Sequence, residues 1–369
     1  MHRRRFMITS IAASAAAGLA SVPAHALTTS AGAMSVSTMA TGLRDPWAVG
    51  FLPDGALLVT EKAGRLLHLE GGQSRAVSGL PEVAARGQGG LLDLMVPKDF
   101  ARSREIYLTY SKPQSGGAGT VVARATLSDD ATRLRDWRDI FELTPGSSGG
   151  RHFGSRLVEG PDGLLYATIG DRGDRPSAQD LERENGAVIR IARDGSIPSD
   201  NPFTKTAGAQ PAIYSYGHRN PQGAAFDGAG QLWVVEHGAR GGDELNKVRK
   251  GANYGWPVIS YGRHYSGMKI GEGTAKPGME QPAHYWDPSI APSGLMIYSG
   301  RLWPEWRGAF FTGSLKFDYL ARLDGEPVKE AEQIEAPEFR RLRDIREAPD
   351  GAIWVLAAGA GSLLRLTPG

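Results

Sequence analysis

The sequence predicts an all-β protein built as a six-bladed β-propeller, and its repeated hairpins are the main reason. Four segments share a pattern of strand, Asp-Gly-type turn and strand with alternating apolar residues, which is typical of a β-hairpin. They occupy 50–60, 158–169, 225–235 and 347–356. Related but degenerate hairpins occupy 95–110 and 297–312. No segment between them has the length and 3.6-residue periodicity of a core helix.

The spacing of these hairpins indicates one propeller domain over residues 27–369. Six units in that segment give a mean spacing of about 55 to 60 residues, which suits a blade of four strands. A β-sandwich is the alternative, but that fold rarely repeats one hairpin so often. Loops at one end of a propeller channel bring together residues that are distant in sequence, so we expect the functional site there.

Residues 1–26 have the features of an export signal. The basic segment 3–7 precedes a weakly apolar, Ala-rich run over 8–22, and 24–26 forms a small-x-small cleavage site. The paired arginines before Phe6 resemble a twin-arginine signal, so we expect a periplasmic protein whose mature chain begins near Leu27. A membrane anchor is disfavoured because the run is rich in Ser, Thr, Gly and Ala.

Composition excludes several classes of function. Lys plus Arg is 42 and Asp plus Glu is 40, so the net charge of +2 provides no broad basic field for nucleic acid. There is no cysteine, which excludes disulfides, thiolate chemistry and Cys-ligated metal sites. The 49 glycines and 23 prolines suit many short strands joined by tight turns.

Candidate catalytic residues lie in the connections between hairpins. His152 follows a Gly-rich loop and immediately precedes the hairpin at 158–169, so we expect it at the channel mouth, where an imidazole can accept a proton from a substrate hydroxyl. Asp171 ends the same hairpin and lies at the same rim. Gln88 provides an amide within the Gly-rich stretch 87–92. A histidine in a Gly-rich loop is, however, more often structural than catalytic.

Other connections carry cations and oxygen donors. Arg219 and Asn220 place an Arg fork beside an amide, which suits a planar, multiply anionic ligand. Three more cations are Lys316, Arg341 and Arg343. If they meet at one channel mouth, their desolvation costs free energy unless an anion pairs with them. Each of them taken separately is an ordinary surface charge. The acidic, Gly-rich segment 236–257 offers carbonyls and Glu244 to a hard cation such as calcium, although it does not match the helix–loop–helix calcium motif.

Together and in this order, the segments resemble the soluble quinoprotein glucose/aldose sugar dehydrogenase family, in particular its periplasmic aldose sugar dehydrogenase branch. The resemblance covers 42–366 and rests on the ordered set GQGGLL, HFGSRL, GDRG, GHRNPQG, GGDELN, NYGWP, GSLK and RLRD. It implies a six-bladed propeller that binds the tricarboxylate pyrroloquinoline quinone together with Ca²⁺ and oxidises aldose sugars at C1 to the lactone. The three carboxylates account for the converging cations.

The resemblance also implies a role for each candidate residue. His152 matches the general base, and Asp171 matches the acid that supports it. The residues that match cofactor contacts are Gln88, Arg219, Asn220, Tyr265, Lys316, Arg341 and Arg343. No c-type haem motif is present in the sequence, so electrons are expected to pass to a separate acceptor. The resemblance is compatible with a monomer or a homodimer.

The calcium ligands implied by the resemblance fall into two groups. The main-chain carbonyls of Gly238 and Ala239 match the ligands of the cofactor calcium. Many relatives have proline at the position of Ala239, so the loop is expected to be less rigid here. Glu244 and Tyr254 match positions that hold a second, structural calcium. The segment 263–282 is short relative to the glucose dehydrogenases, which implies an open cleft and a loose sugar preference.

Two other functions compete with this interpretation. A six-bladed calcium lactonase would need carboxylates and an Asn around one axial metal, and it would have no use for the cations at Lys316, Arg341 and Arg343. A non-catalytic propeller that binds carbohydrate or protein would have no need of His152 beside Asp171.

Overall fold

The computed structural model describes residues 25–369 and confirms the all-β, six-bladed propeller. The predicted signal segment, apart from its last two residues, lies outside the described part of the chain. The helical elements of the described part are α1 (Phe100–Ser103) and two 3₁₀ turns at Arg175–Gln179 and Pro304–Trp306. None of these helices is long and apolar enough to cross a membrane.

The first three blades follow an N-terminal strand pair along the chain. That pair is β1 (His25–Thr29) and β2 (Gly32–Ala40). The first blade contains β3 (Pro46–Phe51), β4 (Leu57–Glu61), β5 (Arg65–Glu70) and β6 (Gln73–Val77). The second contains β7 (Leu91–Met95), β8 (Glu105–Gln114), β9 (Gly117–Leu127) and β10 (Leu134–Glu142). The third contains β11 (Gly154–Glu159), β12 (Leu165–Ile169), β13 (Ala187–Ile191) and β14 (Ile213–Tyr216).

The remaining blades complete the ring. The fourth contains β15 (Pro221–Phe226), β16 (Leu232–Glu236), β17 (Asp243–Lys247) and β18 (His284–Trp286). The fifth contains β19 (Pro292–Ile297), β20 (Phe310–Ser314), β21 (Tyr319–Asp324) and β22 (Lys329–Glu335). The sixth contains β23 (Leu342–Glu347), β24 (Ile353–Ala357) and β25 (Ser362–Pro368), to which β2 and β1 add at the outer edge.

Each predicted hairpin forms the first two strands of a blade, with the Asp-Gly pairs at the turns. Gly55 has a φ of +89°, a left-handed conformation that glycine adopts without a steric penalty. The side chain of Asp54 accepts a hydrogen bond of 3.0 Å from the amide of Ala56, which closes the turn locally. Asp162 and Asp350 make the equivalent contacts in their own hairpins. These turns explain why the blades could be recognised from the sequence.

The ring is closed by pairing between the two ends of the described chain. Strand β2 is antiparallel to β25, with Met34 opposite Pro368 and Ala40 opposite Leu363. The sixth sheet therefore has five strands, where the sequence predicted four in every blade. Because the chain passes from β2 directly into β3, this pairing ties the first blade to the sixth.

A buried charge network crosses the channel below the site. Arg156 of β11 lies 3.1 Å from Asp93 of β7 and 2.8 Å from Asp344 of β23. Arg346 pairs with the same two carboxylates, at 2.7 Å and 3.0 Å. Arg156 also lies over the ring of Trp47, 4.2 Å from its centroid. These contacts tie together four of the six innermost strands and form a polar floor beneath the channel mouth.

Candidate active site

A cavity of about 930 Å³ opens at one end of the channel and is lined by connections from all six blades. Most of its lining comes from the segments just before the first strand of each blade and just after the second strand. Such a position brings together side chains that are far apart in the sequence. The candidate residues in its wall are Gln88, His152, Arg219, Asn220, Gly238, Ala239, Tyr265, Lys316, Arg341 and Arg343.

Three candidates lie outside this wall. Asp171 is fully buried directly behind His152. Glu244 and Tyr254 line a much smaller cavity of about 10 Å³ on the other side of the Gly238 loop. The structure therefore places ten candidates in one cavity, one immediately behind it and two in a separate position.

His152 and Asp171 form a closely coupled pair. Nδ1 of His152 lies 2.6 Å from Oδ1 of Asp171. Asp171 is fixed by two further hydrogen bonds, from the indole of Trp256 at 2.8 Å and from the amide of Gly173 at 2.7 Å. A proton on Nδ1 is therefore held by the carboxylate, which leaves Nε2 as the basic nitrogen on the cavity side. Nε2 makes no hydrogen bond with the described residues.

The surroundings of this pair favour a neutral imidazole beside an ionised carboxylate. Burial lowers the pKa of His152 below its ordinary value of 6.5, and the hydrogen bond to Asp171 only partly opposes this effect. Burial raises the pKa of Asp171, but the hydrogen bonds from His152, Gly173 and Trp256 outweigh it and hold that pKa below its usual range. A neutral His152 at physiological pH can accept a proton, as a general base must.

The backbone around His152 explains the glycines that flank it. His152 itself has a φ of +53°, in the left-handed region that few side chains occupy. A Cβ at Gly170 would lie 2.0 Å from the carbonyl oxygen of His152. The strand end that carries Asp171 can therefore approach the histidine loop only with glycine at position 170. A Cβ at Gly154 would likewise lie 2.6 Å from the carbonyl oxygen of Thr168, so glycine is needed on both sides of this contact.

Two amide side chains complete the wall near His152. The Oε1 atom of Gln88 accepts a hydrogen bond of 2.6 Å from the His152 amide, so Gln88 fixes the loop that carries the base. The Oδ1 atom of Asn220 accepts hydrogen bonds of 3.2 Å from Gly154 and from Gln222. The amide nitrogens of both residues remain available as donors to a ligand in the cavity.

Positive charge dominates the cavity. Six cationic side chains line it, and none forms an ion pair with a residue in 25–369; they are Lys62, Arg219, Arg240, Lys316, Arg341 and Arg343. Asp287 is the single carboxylate among the described residues of the wall. So many unpaired cations within one wall favour an anion of several charges as the occupant.

Two of these arginines are strongly desolvated. Burial lowers the pKa of Arg343 to well below its usual value, and neighbouring Arg156 and Arg341 lower it further. Burial also lowers the pKa of Arg219, whose Nε is buried without a hydrogen-bond partner. An anion bound between these two groups would relieve both costs, because its charge would compensate the guanidinium groups for the solvation that burial removes.

The Gly238 loop offers oxygen donors to a cation. Gly238 and Ala239 line the cavity, and backbone carbonyls are ligands that calcium accepts. Arg219 donates a hydrogen bond to the Gly238 carbonyl, so a cation there would share that oxygen with the guanidinium. A Cβ at Gly238 would lie 2.2 Å from the Gly241 carbonyl oxygen, which explains the glycine at this position.

The other predicted metal ligands are Glu244, which is partly buried, and Tyr254, which is buried. Glu244 is directly opposite Glu236 in the β16–β17 ladder. Burial, together with the Glu236 carboxylate, raises the pKa of Glu244. The hydroxyl of Tyr254 is already used, since it donates to the Lys247 carbonyl at 2.6 Å and accepts from the Arg249 amide. Within 25–369, no group of three His, Asp or Glu side chains is arranged to hold a metal ion.

Several residues of the wall were missed in the sequence. They are Trp47, Lys62, Gln222, His237, Arg240 and Asp287. Their position in the repeat could have identified some of them. In several blades, the residues just after the second strand reach the cavity. Lys62 follows β4, His237 follows β16, and Lys316 follows β20 in the same way.

Comparison with known proteins agrees with this geometry. The family model described as Glucose / Sorbosone dehydrogenase matches residues 43–365. The chain is 42% identical to an aldose sugar dehydrogenase of Escherichia coli (strain K12), over 100% of both chains. Its fold matches the crystal structure of the soluble aldose sugar dehydrogenase of E. coli in the apo form, with a TM-score of 0.87 and 42% identity over 91% of this chain and 100% of that one.

A more distant solved structure is described as bound to a cofactor. It is the PQQ-bound form of an aldose sugar dehydrogenase from Streptomyces coelicolor, with a TM-score of 0.75 and 27% identity over 93% of this chain and 99% of that one. The family model spans nearly the whole propeller, from before β3 into β25, so the match concerns the complete fold. The chain belongs to the glucose/sorbosone dehydrogenase family of sugar-oxidising oxidoreductases.

Proposed function

We propose that this protein oxidises aldose sugars at C1 to the lactone, using pyrroloquinoline quinone and Ca²⁺. The observation that carries the proposal is the combination, in one cavity, of a neutral histidine held by a buried aspartate and six cations that have no ion pair within residues 25–369. The cations suit a planar tricarboxylate, and the histidine suits proton removal from a sugar hydroxyl. The PQQ-bound relative supports this choice of cofactor.

The cavity wall fits the cofactor chemically. Arg219, Arg343, Lys316 and Arg341 would bind its carboxylates, and the free amides of Gln88 and Asn220 would donate to its oxygen atoms. The Gly238 and Ala239 carbonyls would hold the calcium ion beside it. When bound, the quinone supplies a two-electron acceptor for the hydride from C1, and calcium increases its electrophilicity.

His152 is the proposed general base. Its Nε2 would remove the proton from the anomeric hydroxyl, while Asp171 holds the proton on Nδ1 and stabilises the imidazolium that forms. Because Gln88 fixes the backbone of His152 and Trp256 fixes Asp171, the base keeps one orientation throughout turnover. Exposed Tyr265 lies at the rim of the cavity, where it can contact the cofactor or the sugar.

Reconstitution tests this function. The purified protein is loaded with pyrroloquinoline quinone and Ca²⁺, and reduction of an artificial dye is followed with a panel of aldoses. We expect sugar-dependent dye reduction that requires both additions. Hydrolysis of sugar lactones without dye reduction would instead favour the lactonase, and sugar binding without either reaction would favour a non-catalytic module.

We also propose that residues 1–26 direct export to the periplasm by the twin-arginine route, and that electrons leave to a separate acceptor. Fractionation of cells that express the full chain tests the export. The double substitution Arg4→Lys and Arg5→Lys should retain the protein in the cytoplasm, because this route requires the arginine pair. Unchanged periplasmic recovery would contradict it.

A further inference from the structure

Arg172, the residue after Asp171, is a buried cation outside the cavity wall. It is 2% exposed, and its guanidinium forms no ion pair within residues 25–369. Burial lowers the pKa of Arg172 to about 10, so the group keeps its charge at neutral pH. Burying a cation without a carboxylate partner costs free energy. The stability of the fold therefore does not explain an arginine at this position, and its contacts indicate another role.

The guanidinium contacts the residues on both sides of His152. Its Nη1 donates a hydrogen bond to the carbonyl of Arg151, which directly precedes the base. Its Cζ lies 3.3 Å from the ring centroid of Phe153, which directly follows the base. His152 has a left-handed φ of +53°, a conformation that persists only where the surrounding contacts hold it. Arg172 supplies such contacts before and after the strained residue.

A paired strand anchors the other side of this guanidinium. Nη2 donates a hydrogen bond of 3.2 Å to the carbonyl of Ala118, in β9 of the second blade. Strand β9 has a neighbour on each side, so this carbonyl belongs to a fixed part of the sheet. The consecutive residues Asp171 and Arg172 thus have complementary contacts. Asp171 holds the imidazole ring of His152, and Arg172 holds the main chain that carries it.

These contacts require the shape of arginine as well as its charge. A planar guanidinium can donate to two separate carbonyls while its face lies on an aromatic ring, whereas the ammonium of lysine has no such face. Arg104 makes similar contacts and has the same φ of +56° as Arg172. Its Cζ lies 4.8 Å from the ring centroid of Phe100, and it donates to the carbonyls of Leu127 and Ser128. Because Arg104 lies at the end of the β7–β8 hairpin away from the cavity, it is a matched control.

We propose that Arg172 is a positioning residue, which keeps His152 in its catalytic orientation by fixing the main chain on both sides of it. This inference rests on the proposed function, because it treats His152 as the general base. Arg172 does not line the cavity, so its loss should disturb the base and leave the cationic wall that binds the cofactor in place.

Kinetics separate positioning from binding. Arg172→Ala should lower kcat about 10- to 100-fold, because a displacement of about 1 Å at a reacting group costs up to that factor. KM and the affinity for pyrroloquinoline quinone should change little. Arg172→Lys keeps the charge but not the planar group, so it should be as slow as Arg172→Ala. Arg104→Ala should keep the kcat of the unsubstituted protein, and denaturant unfolding shows whether the two alanine variants lose similar stability.

Guanidinium added in solution provides a rescue. Ala118 and Phe153, which Arg172 contacts, line a surface cleft of about 330 Å³ that a small cation can enter. Guanidinium chloride at a low, non-denaturing concentration should restore part of the kcat of Arg172→Ala. Ammonium chloride at the same concentration should not, because ammonium has the charge without the planar group. An unchanged kcat in Arg172→Ala, full activity in Arg172→Lys, or equal restoration by the two salts would overturn the proposal.

Nuclear magnetic resonance of the cofactor-free protein tests the positioning without catalysis. The proton on Nδ1 of His152, shared with Asp171 over 2.6 Å, should give a strongly downfield resonance that is absent in His152→Ala. In Arg172→Ala this resonance should move upfield and exchange faster with water, and in Arg104→Ala it should not change. An unchanged resonance in Arg172→Ala would also overturn the proposal. A failure of the proposed function is distinct, because the unsubstituted protein would then oxidise no sugar while the resonance could still be followed.

Discussion

Nδ1 of His152 lies 2.6 Å from Oδ1 of Asp171, and the other oxygen of that carboxylate accepts the indole hydrogen of Trp256. The two residues are 19 positions apart and come together because the connection before β11 passes the end of β12. Asp171 is fully buried, and the His152 side chain is 12% exposed, towards the cavity. The pair thus presents one basic nitrogen to a ligand.

Replacing His152 tests the base. His152→Ala should lower kcat by about 10²- to 10⁴-fold, the usual worth of general-base catalysis. Affinity for pyrroloquinoline quinone, followed by quenching of protein fluorescence, should change little, because the cations that bind the cofactor remain. Full dye reduction by His152→Ala would contradict the assignment.

Replacing Asp171 should change the pH profile as well as the rate. Burial alone lowers the pKa of His152, and Asp171 opposes this effect, so its removal lowers the pKa further. The acidic limb of kcat/KM in Asp171→Asn should therefore move to lower pH, and its plateau should fall. The plateau falls because an asparagine amide can donate to Nδ1 and leave the proton on Nε2. If Asp171 had only a structural role, Asp171→Asn would lower the plateau of kcat/KM but leave the acidic limb at the same pH.

The cationic wall should control cofactor affinity. Lys316→Met and Arg341→Gln should each weaken binding of pyrroloquinoline quinone about ten- to hundredfold, since each removes a charge-assisted contact to a carboxylate. Arg340→Gln is the matched control, because Arg340 is adjacent in sequence but outside the cavity wall. Titration of the cofactor-free protein measures these affinities. Equal affinities in all three variants would contradict the role of the cluster.

Calcium should stabilise the protein partly through Glu244. Addition of Ca²⁺ to chelator-treated protein should raise the Tm, because a ligand that binds the folded state stabilises it. Glu244→Gln should reduce this rise, whereas Glu272→Gln, at an exposed carboxylate, should retain it. Differential scanning calorimetry measures the shift. A full calcium response in Glu244→Gln would exclude that carboxylate as a ligand.

The network below the cavity should be important for stability. Arg156→Met leaves Asp93 and Asp344 buried with fewer partners and should cost about 3–5 kcal/mol of the free energy of unfolding. Arg365→Met breaks an exposed pair with Asp350 and should cost about 0–1 kcal/mol. Denaturant unfolding of both variants gives the comparison. Similar losses in the two would argue against a structural role for the network.

The fold was predictable where its signals are local. The Asp54–Gly55 turn closes through its own side chain and recurs with little change at the turns of other blades, so the hairpins could be recognised from the sequence. The pairing of β2 with β25 was not predicted, because it joins opposite ends of the chain and has no local signature. The helix α1 within the second-blade hairpin was missed because four residues carry no periodicity.

The candidate site was predictable where residues lie in recognisable motifs. His152 and Arg219 were found in this way, and the structure places both in the cavity wall. Lys62 and Asp287 were missed because each lies alone in an ordinary connection, and only the ring geometry brings them to the same space. It could not be predicted that the cavity cations have no ion pair within the described residues. The composition shows only that the whole chain is nearly neutral, and the fold decides which charges meet.

The most direct test of the account is product analysis of the reconstituted protein. Protein loaded with pyrroloquinoline quinone and Ca²⁺ is given an aldose and a two-electron dye, and lactone and reduced dye are quantified together. We predict one lactone for each dye reduced, with a kcat about 10²- to 10⁴-fold lower in His152→Ala that has the cofactor bound. Absence of dye reduction with every aldose, in a preparation shown to contain the cofactor, would contradict the central claim.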